Sequence, residues 1–317
     1  MHLIHKKMGK NNWTSANIPD QTGKLILITG ANSGIGLEAS FVLSTKGANI
    51  VMAVRNLKKG EEAYKKIIER NASARIDLMQ LDLSDLESIR DFSKEFNAKY
   101  AQLNSLINNA GVMNPLKREV TKQNFEIQFG TNHLGHFLLT GLLLDILKKT
   151  PKSRIVNQSS VVHKMKKMKA DIHFDDLNWE KSYNRDYAYS QSKLANLLFT
   201  YELDRKLKAH KIDAIATAAH PGYTRTNLQN TSGFFVTKIL NNIMAQNVEI
   251  GSLPILRAAT EENLSGGEYF GPTKMNEFKG YPEQVKSSEK SYNVQVAKKL
   301  WEVSEKLTGI TYDFNNY

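Results

Sequence analysis

Residues 25–36 read Leu25-Ile26-Leu27-Ile28-Thr29-Gly30-Ala31-Asn32-Ser33-Gly34-Ile35-Gly36. The short apolar run ending at Gly30 predicts a buried strand over 25–29. Leu37, Phe41 and Leu43 then recur at helical spacing, which predicts a helix over 35–46 stopped by Gly47. A strand, a glycine-rich turn and a helix in that order make a cradle for an anion. A side chain at Gly30 or Gly34 would block the tight turn or hold a pyrophosphate off the backbone. Gly36 lets helix and strand pack closely, and the free N–H groups of the helix start face the phosphate. Gly30, Asn32, Ser33, Gly34, Ile35 and Gly36 are therefore candidate dinucleotide contacts. The alternative is a glycine-rich turn without a ligand; the flanking strand and helix favour the cradle.

Working outward, strands are expected over 49–54, 76–81, 105–108, 153–158 and 212–219. Helices are expected over 61–70, 84–100, within 124–149 as one long element, and over 189–207. Strands separated by helices of this length imply a parallel sheet covered on both faces. Aliphatic runs without strict alternation suit doubly covered strands. The expected fold class is α/β: a single-domain Rossmann-type doubly wound parallel sheet with helices on both faces. Without an internal repeat or a Pro/Gly/Ser linker, residues 23–317 read as one dinucleotide-binding catalytic domain. Residues 1–22 read as a partly flexible N-terminal extension.

Composition narrows the function classes. The 317 residues contain no cysteine, which removes disulfides, thiolate metal sites and cysteine nucleophiles. No stretch is apolar and long enough to cross a bilayer, and the polar, basic start lacks the apolar run of a signal peptide. A cytoplasmic protein without a transmembrane anchor is expected. The net charge of +11 reads as a lysine-rich surface or as attraction to anions. No element interleaves basic and aromatic residues as a nucleic-acid face would, so no nucleic-acid partner is expected.

The end of the second strand decides between the two dinucleotides. An NAD enzyme places a carboxylate there for the ribose hydroxyls. This chain reads Ala53-Val54-Arg55-Asn56, with Val54 at the acid's position. Arg55 offers a planar fork suited to a 2′-phosphate, with Asn56 beside it and Lys58 and Lys59 adding charge. NADP(H) is expected, with NAD(H) disfavoured; the alternative is a surface arginine after a strand.

Tyr189-Ser190-Gln191-Ser192-Lys193 is the only Tyr-x-x-x-Lys in the chain. Positions four apart share a helical face. A phenol titrates near ~10, and a nearby ammonium should lower that value. The pair is thus a candidate acid/base, although an exposed Tyr/Lys pair of this spacing is common.

The glycine spacing, with three residues between the first two glycines, is that of the short-chain dehydrogenase/reductase family, which this chain resembles. Asn108-Asn109-Ala110-Gly111, Asn132 within Asn-His-Leu-Gly-His-Phe, Ser159-Ser160, Tyr189/Lys193 and Pro221-Gly222 occur in family order, across about 23–228. Arg154-Ile155-Val156-Asn157, Ser192-Lys193-Leu194-Ala195-Asn196 and His220-Pro221-Gly222 resemble the retinol dehydrogenase-like branch and related bacterial oxidoreductases. The resemblance implies hydride transfer between NADP(H) and an alcohol or carbonyl carbon. In it, Ser160 would hold the substrate oxygen and Tyr189 would pass the proton. Lys193 would bind the nicotinamide ribose and depress the tyrosine, and Asn132 would hold a water. Asp82 and Leu83 would line the adenine pocket, and Asn109, Ala110 and Gly111 would run along the cofactor. Pro221, Gly222 and Thr224 would flank the nicotinamide. A catalytically silent NADP(H)-binding redox sensor is the alternative, against which the intact Ser160, Tyr189 and Lys193 speak.

Other features are weaker. His133 and His136 are three apart but lack a third ligand, so no metal is expected. His163 reads as an entrance residue or an exposed loop histidine. The basic residues 164–169 read as a solvated loop, or as an entrance segment touching a membrane or an acidic substrate. Residues 233–244 are rich in Phe, Ile and Leu, so 230–250 is expected to cover a moderately apolar small-molecule substrate. A core segment or a subunit interface of a homo-oligomer would explain the same composition.

Overall fold

The computed structural model describes residues 12–224 and 246–315. The strands are β1 (Leu25–Thr29), β2 (Asn49–Val54), β3 (Arg75–Gln80), β4 (Ser105–Asn108), β5 (Ser153–Gln158), β6 (Ala214–Ala219), β7 (Tyr269–Lys274) and β8 (Lys279–Gln284). They form one eight-stranded sheet in the order β3-β2-β1-β4-β5-β6-β7-β8. The chain reverses its direction of travel across the sheet between β1 and β4. Such a switch point opens a crevice at the carboxyl ends of the strands.

Both faces of the sheet are buried, and β1 shows why its sequence lacks alternation. Leu25 and Leu27 point into one core, with Phe96, Phe137 and Leu198. Ile26 and Ile28 point into the other, with Val42, Leu253 and Leu256. A period of two then places an aliphatic side chain on each face. Each such burial contributes about 1.5–3 kcal/mol.

The helices are α1 (Gly34–Thr45), α2 (Leu57–Arg70), α3 (Leu86–Lys99), α4 (Gly135–Leu142), α5 (Leu144–Lys149), α6 (Arg185–Ala209), α7 (Val248–Thr260) and α8 (Val294–Thr308). The α2 helix starts four residues before the expected 61 because the Asn56 side chain accepts the Lys59 N–H and caps it. Asn184 does the same for α6, accepting from Asp186 and Tyr187, so Tyr189 sits inside the helix rather than at its first residue. The single long helix expected within 124–149 is instead broken. A turn at Ile127–Phe129 passes into a π-helical stretch, Gly130–Leu134, before α4 begins. Seven strands run parallel, whereas β8 runs antiparallel to β7. The few residues between them permit only a hairpin return.

Among the described residues, no helix is long and apolar enough to cross a membrane. The segment 233–244, expected to cover the substrate, lies outside the described residues.

Candidate active site

The carboxyl ends of β1, β4, β5 and β6 bring the sequence-predicted residues together. At β1, Gly30 adopts φ +65° and Gly34 φ +53°, the left-handed region that a side chain resists. A Cβ on Gly36 would lie 2.5 Å from the Gly30 carbonyl oxygen and 2.6 Å from Asn109 Nδ2. The loop therefore has no room for a side chain there. Ser33 is the N-cap of α1, yet its side chain makes no capping bond, which leaves first-turn N–H groups at Gly34, Ile35 and Gly36 without a protein partner from that cap. Asn32 and Ser33 stand half-buried at the same turn. A turn kept open by Gly30, Gly34 and Gly36 and leading into an uncapped helix start fits a dinucleotide pyrophosphate.

Asn109, Ala110 and Gly111 connect this loop to the Tyr189/Lys193 helix. Asn109 Nδ2 donates to the Thr29 carbonyl (2.8 Å), and the Asn109 and Ala110 N–H groups donate to Thr29 Oγ1 (3.0 Å each). At the other end, a Cβ on Gly111 would sit 3.0 Å from Asn132 Oδ1 and 3.6 Å from Lys193 Nζ. Asn132 is fully buried on the π-helical stretch. Its Oδ1 accepts the Val112 N–H (2.8 Å), and its Nδ2 donates to the Val112 carbonyl and to Ser192 Oγ (3.0 Å each).

The serine pair after β5 divides its duties. Ser159 Oγ donates to the Lys193 carbonyl (2.8 Å), so that hydroxyl is engaged by α6. The Ser160 hydroxyl instead faces the Tyr189 phenol. Lys193 Nζ lies 5.7 Å from the Tyr189 ring centroid and donates to the Gln158 carbonyl (3.2 Å). The electrostatics differ from the expectation that the lysine holds the phenol down. Burial pushes Tyr189 up to about 12, offset in part by Ser160, and burial takes Lys193 down to about 8. Desolvation disfavours the charged form of each group.

The remaining predicted contacts sit at neighbouring strand ends. Arg55 is exposed after β2, and among the described residues its guanidinium forms no ion pair. Asn56 lends its side-chain oxygen to the start of α2 (3.0 Å). Asp82 accepts from the Ser84 N–H and hydroxyl (2.9 and 2.6 Å), which shapes the turn after β3. Leu83 is buried and packs where Gly135 begins α4; a Cβ on that glycine would lie 2.5 Å from the Leu83 carbonyl oxygen. After β6, the Pro221 carbonyl accepts from Thr224 Oγ1 (2.7 Å) and Gln246 Nε2 (2.7 Å), and the Gly222 N–H donates to His220 Nδ1 (3.3 Å). His133, in the π-helical stretch, and His136, in the first turn of α4, face different partners. His133 Nε2 meets Ser304 Oγ and His136 Nε2 meets Thr29 Oγ1, both at 2.9 Å. His163 is buried rather than exposed, with Nδ1 donating to the Ser160 carbonyl.

One side chain at this site carries no sequence signal. Glu277, in the turn between β7 and β8, accepts from Lys164 Nζ (2.6 and 2.8 Å) and lies 3.1 Å from His220 Nε2. It thereby joins the segment following Ser160 to the segment preceding Gly222. The Phe278 carbonyl adds a bond from the Tyr223 N–H (2.8 Å). Nothing short of the folded hairpin places a carboxylate so far along the chain beside the serine segment.

Comparison with known proteins agrees with this architecture. The short chain dehydrogenase family profile matches residues 24–171. The chain is 38% identical to human retinol dehydrogenase 13 over 307 residues, covering 94% of this chain and 87% of that protein. It is 37% identical to the short-chain dehydrogenase TIC 32 B, chloroplastic, of Brassica napus, covering 96% of this chain and 97% of that protein. An uncharacterised protein from Mycobacterium Paratuberculosis has a crystal structure that superposes with a TM-score of 0.79 at 37% identity, covering 95% of this chain and 99% of that one. The chain belongs to the short-chain dehydrogenase/reductase family, as an oxidoreductase of its retinol dehydrogenase-like branch.

Proposed function

We propose that the protein is an NADP(H)-dependent oxidoreductase that interconverts an alcohol and a carbonyl on a moderately apolar small molecule, with Tyr189 as the acid/base. The observation that carries this is the meeting of Ser160, Tyr189 and Lys193, with Lys193 beside Gly111 at the end of the segment whose Asn109 and Ala110 are bonded to Thr29.

Gly30 to Gly36 and the start of α1 would hold the pyrophosphate, and Arg55 the 2′-phosphate. Asp82 and Leu83 would hold the adenine, and Asn109 to Gly111, Pro221, Gly222 and Thr224 the nicotinamide end. The bound cofactor supplies the hydride. The protein supplies the proton and the charge stabilisation. Reduction of a carbonyl builds negative charge on its oxygen. Ser160 donates a hydrogen bond there, and the Tyr189 phenol donates a bond and then its proton. With its pKa raised by burial, Tyr189 holds that proton at neutral pH, which suits an acid in the reductive direction. Lys193, also buried, stands near enough to the ring to favour the phenolate as it forms.

Loss of absorbance at the reduced-nicotinamide band, with a panel of aldehydes and ketones and with NADPH against NADH, tests the reading. Turnover with NADPH is expected. Tyr189→Phe should lower kcat by about 10²–10⁴-fold while NADP(H) still binds. Retained turnover near the parent rate removes Tyr189 from the mechanism. Cofactor binding without turnover of any carbonyl leaves a silent nucleotide-binding protein.

A further inference from the structure

We propose that the cleft between residues 161–167 and the β7–β8 turn is a subsite for an anionic group at the far end of the substrate. The preferred substrates are then aldehydes, ketones or alcohols that carry a carboxylate or phosphate. This assignment rests on the reading that the reacting carbon sits at Ser160 and Tyr189.

The cleft has a volume of ≈ 470 Å³, within the range of small-molecule sites. Its lining includes Val161, the residue after Ser160, so it adjoins the serine segment. Val161, Met165 and Phe278 give it apolar walls suited to an alkyl chain. Its charges are unbalanced. Lys164 is neutralised by Glu277, at 2.6 Å. Lys166 and Lys167 also line the cleft, and among the described residues neither forms an ion pair. Two exposed positive charges are left without a counter-charge among the lining residues.

Those two ammonium groups ride on an anchored backbone. Residues 161–164 and 166–168 form two 3₁₀ turns joined at an extended Met165, with the Met165 N–H donating to the Val162 carbonyl (3.1 Å) and the Met168 N–H to the Met165 carbonyl (2.8 Å). Ser190 Oγ, one residue after Tyr189, donates to the Met168 carbonyl (2.8 Å). The segment is thus tied at one end to Ser160 and at the other to the helix that carries Tyr189. Six residues separate Lys166 from Ser160, and their two short turns keep the span to roughly 12 Å at ~2 Å per residue. A medium-length chain spans that distance, with its reacting end at Tyr189 and its anionic end at the lysines.

The test compares nonanal with its ω-carboxylate counterpart, using the full-length protein and NADPH. The ratio of their kcat/KM values should favour the carboxylate by about tenfold, the sum of two solvent-exposed ion pairs. Rising KCl should compress the ratio. The Lys166→Gln/Lys167→Gln double variant, checked by thermal melting to be folded, should bring it towards one. A ratio near one in the parent, or a ratio unaltered in the double variant, overturns the subsite while leaving the oxidoreductase reading intact. Turnover of neither aldehyde, nor of any other carbonyl, removes the oxidoreductase reading and the subsite with it. If the double variant loses binding to phosphatidylserine vesicles while its ratio stays at the parent value, the lysines serve a membrane surface and the subsite is overturned.

Discussion

Replacement of Glu277 by alanine should both destabilise the protein and misplace its serine segment. Lys164 and Glu277 are each 23% exposed, and the His220 side chain is fully buried. His220 Nδ1 accepts the Gly222 N–H, so Nε2 carries the ring proton and donates to Glu277. Alanine leaves that buried N–H unpaired, at about 1–3 kcal/mol. It also removes a half-buried ion pair worth about 1 kcal/mol. The sum is about 2–4 kcal/mol, which at roughly 2 °C per kcal/mol lowers Tm by roughly 4–8 °C. Glu277→Gln keeps an oxygen for His220 and loses only the charge opposite Lys164, so its Tm should fall by about 2 °C. The loss should depend on pH. Burial would raise the Glu277 carboxyl, but the bonds from His220 and Lys164 outweigh it and hold the group below its ordinary range. A depressed carboxyl contributes stability above its unfolded value of about 4.3, and that contribution disappears as pH falls through the lower folded value. Parent and alanine variant should therefore melt furthest apart near neutral pH, with the gap narrowing in acid. Differential scanning calorimetry across pH measures this, with kcat/KM followed in parallel. Alanine and glutamine variants that both melt within about 1 °C of the parent at neutral pH would show that the carboxylate joins nothing, and the reasoning fails.

Arg55→Glu should weaken NADP(H) by about 10–100-fold, the worth of a charged hydrogen bond, with a much smaller effect on NAD(H). Titration calorimetry with both cofactors checks this, and equal losses would refute the 2′-phosphate role. Gly36→Ala forces a Cβ to within 2.5 Å of the Gly30 carbonyl, which should cost about 1–3 kcal/mol and weaken dinucleotide binding. A variant that melts and binds like the parent would show that the loop has slack. Lys193→Met should move the ascending limb of the pH profile for alcohol oxidation, where Tyr189 loses its proton, to higher pH, because the phenol already raised by burial loses its neighbouring cation. An unmoved limb would detach the lysine from the tyrosine.

The strands are legible where composition and position agree. β1, β2, β4 and β5 coincide with their aliphatic runs because both sheet faces demand apolar side chains. The carboxyl edge of the sheet is less legible. β7 and β8 contain Pro272 and Pro282, which pair across the edge of the sheet, where a missing donor is tolerated. A proline inside a run speaks against a strand when the edge is not known. α7 holds Pro254 within its core-facing interior, against the rule that proline ends a helix. The turn that carries Glu277 places Met275, Asn276 and Glu277 at φ 52°, 54° and 66°. Side chains other than glycine resist that conformation by about 1–2 kcal/mol each, so nothing local announces it, and the anchors at Lys164 and His220 help to offset it.

The π-helical stretch is the case where the site itself explains a feature that the sequence hides. The Asn132 carbonyl lies 3.0 Å from His136 Nδ1, and a carbonyl only accepts, so Nδ1 carries the proton. Burial holds His136 down to about 4, so the ring is neutral and Nε2 is an acceptor. The Thr29 hydroxyl must then donate to Nε2 (2.9 Å), which leaves its lone pairs for the Asn109 and Ala110 N–H groups. Every proton in this chain of bonds has one placement. The threonine that ends β1, the backbone after β4 and the helix that holds Asn132 are thereby locked to one another at the centre of the crevice. Serine at position 29 would keep the hydroxyl, whereas valine would leave two N–H donors and a buried imidazole nitrogen without partners. The glycine loop and the Asn-His-Leu-Gly-His-Phe motif, far apart in sequence, are two ends of one hydrogen-bonded unit.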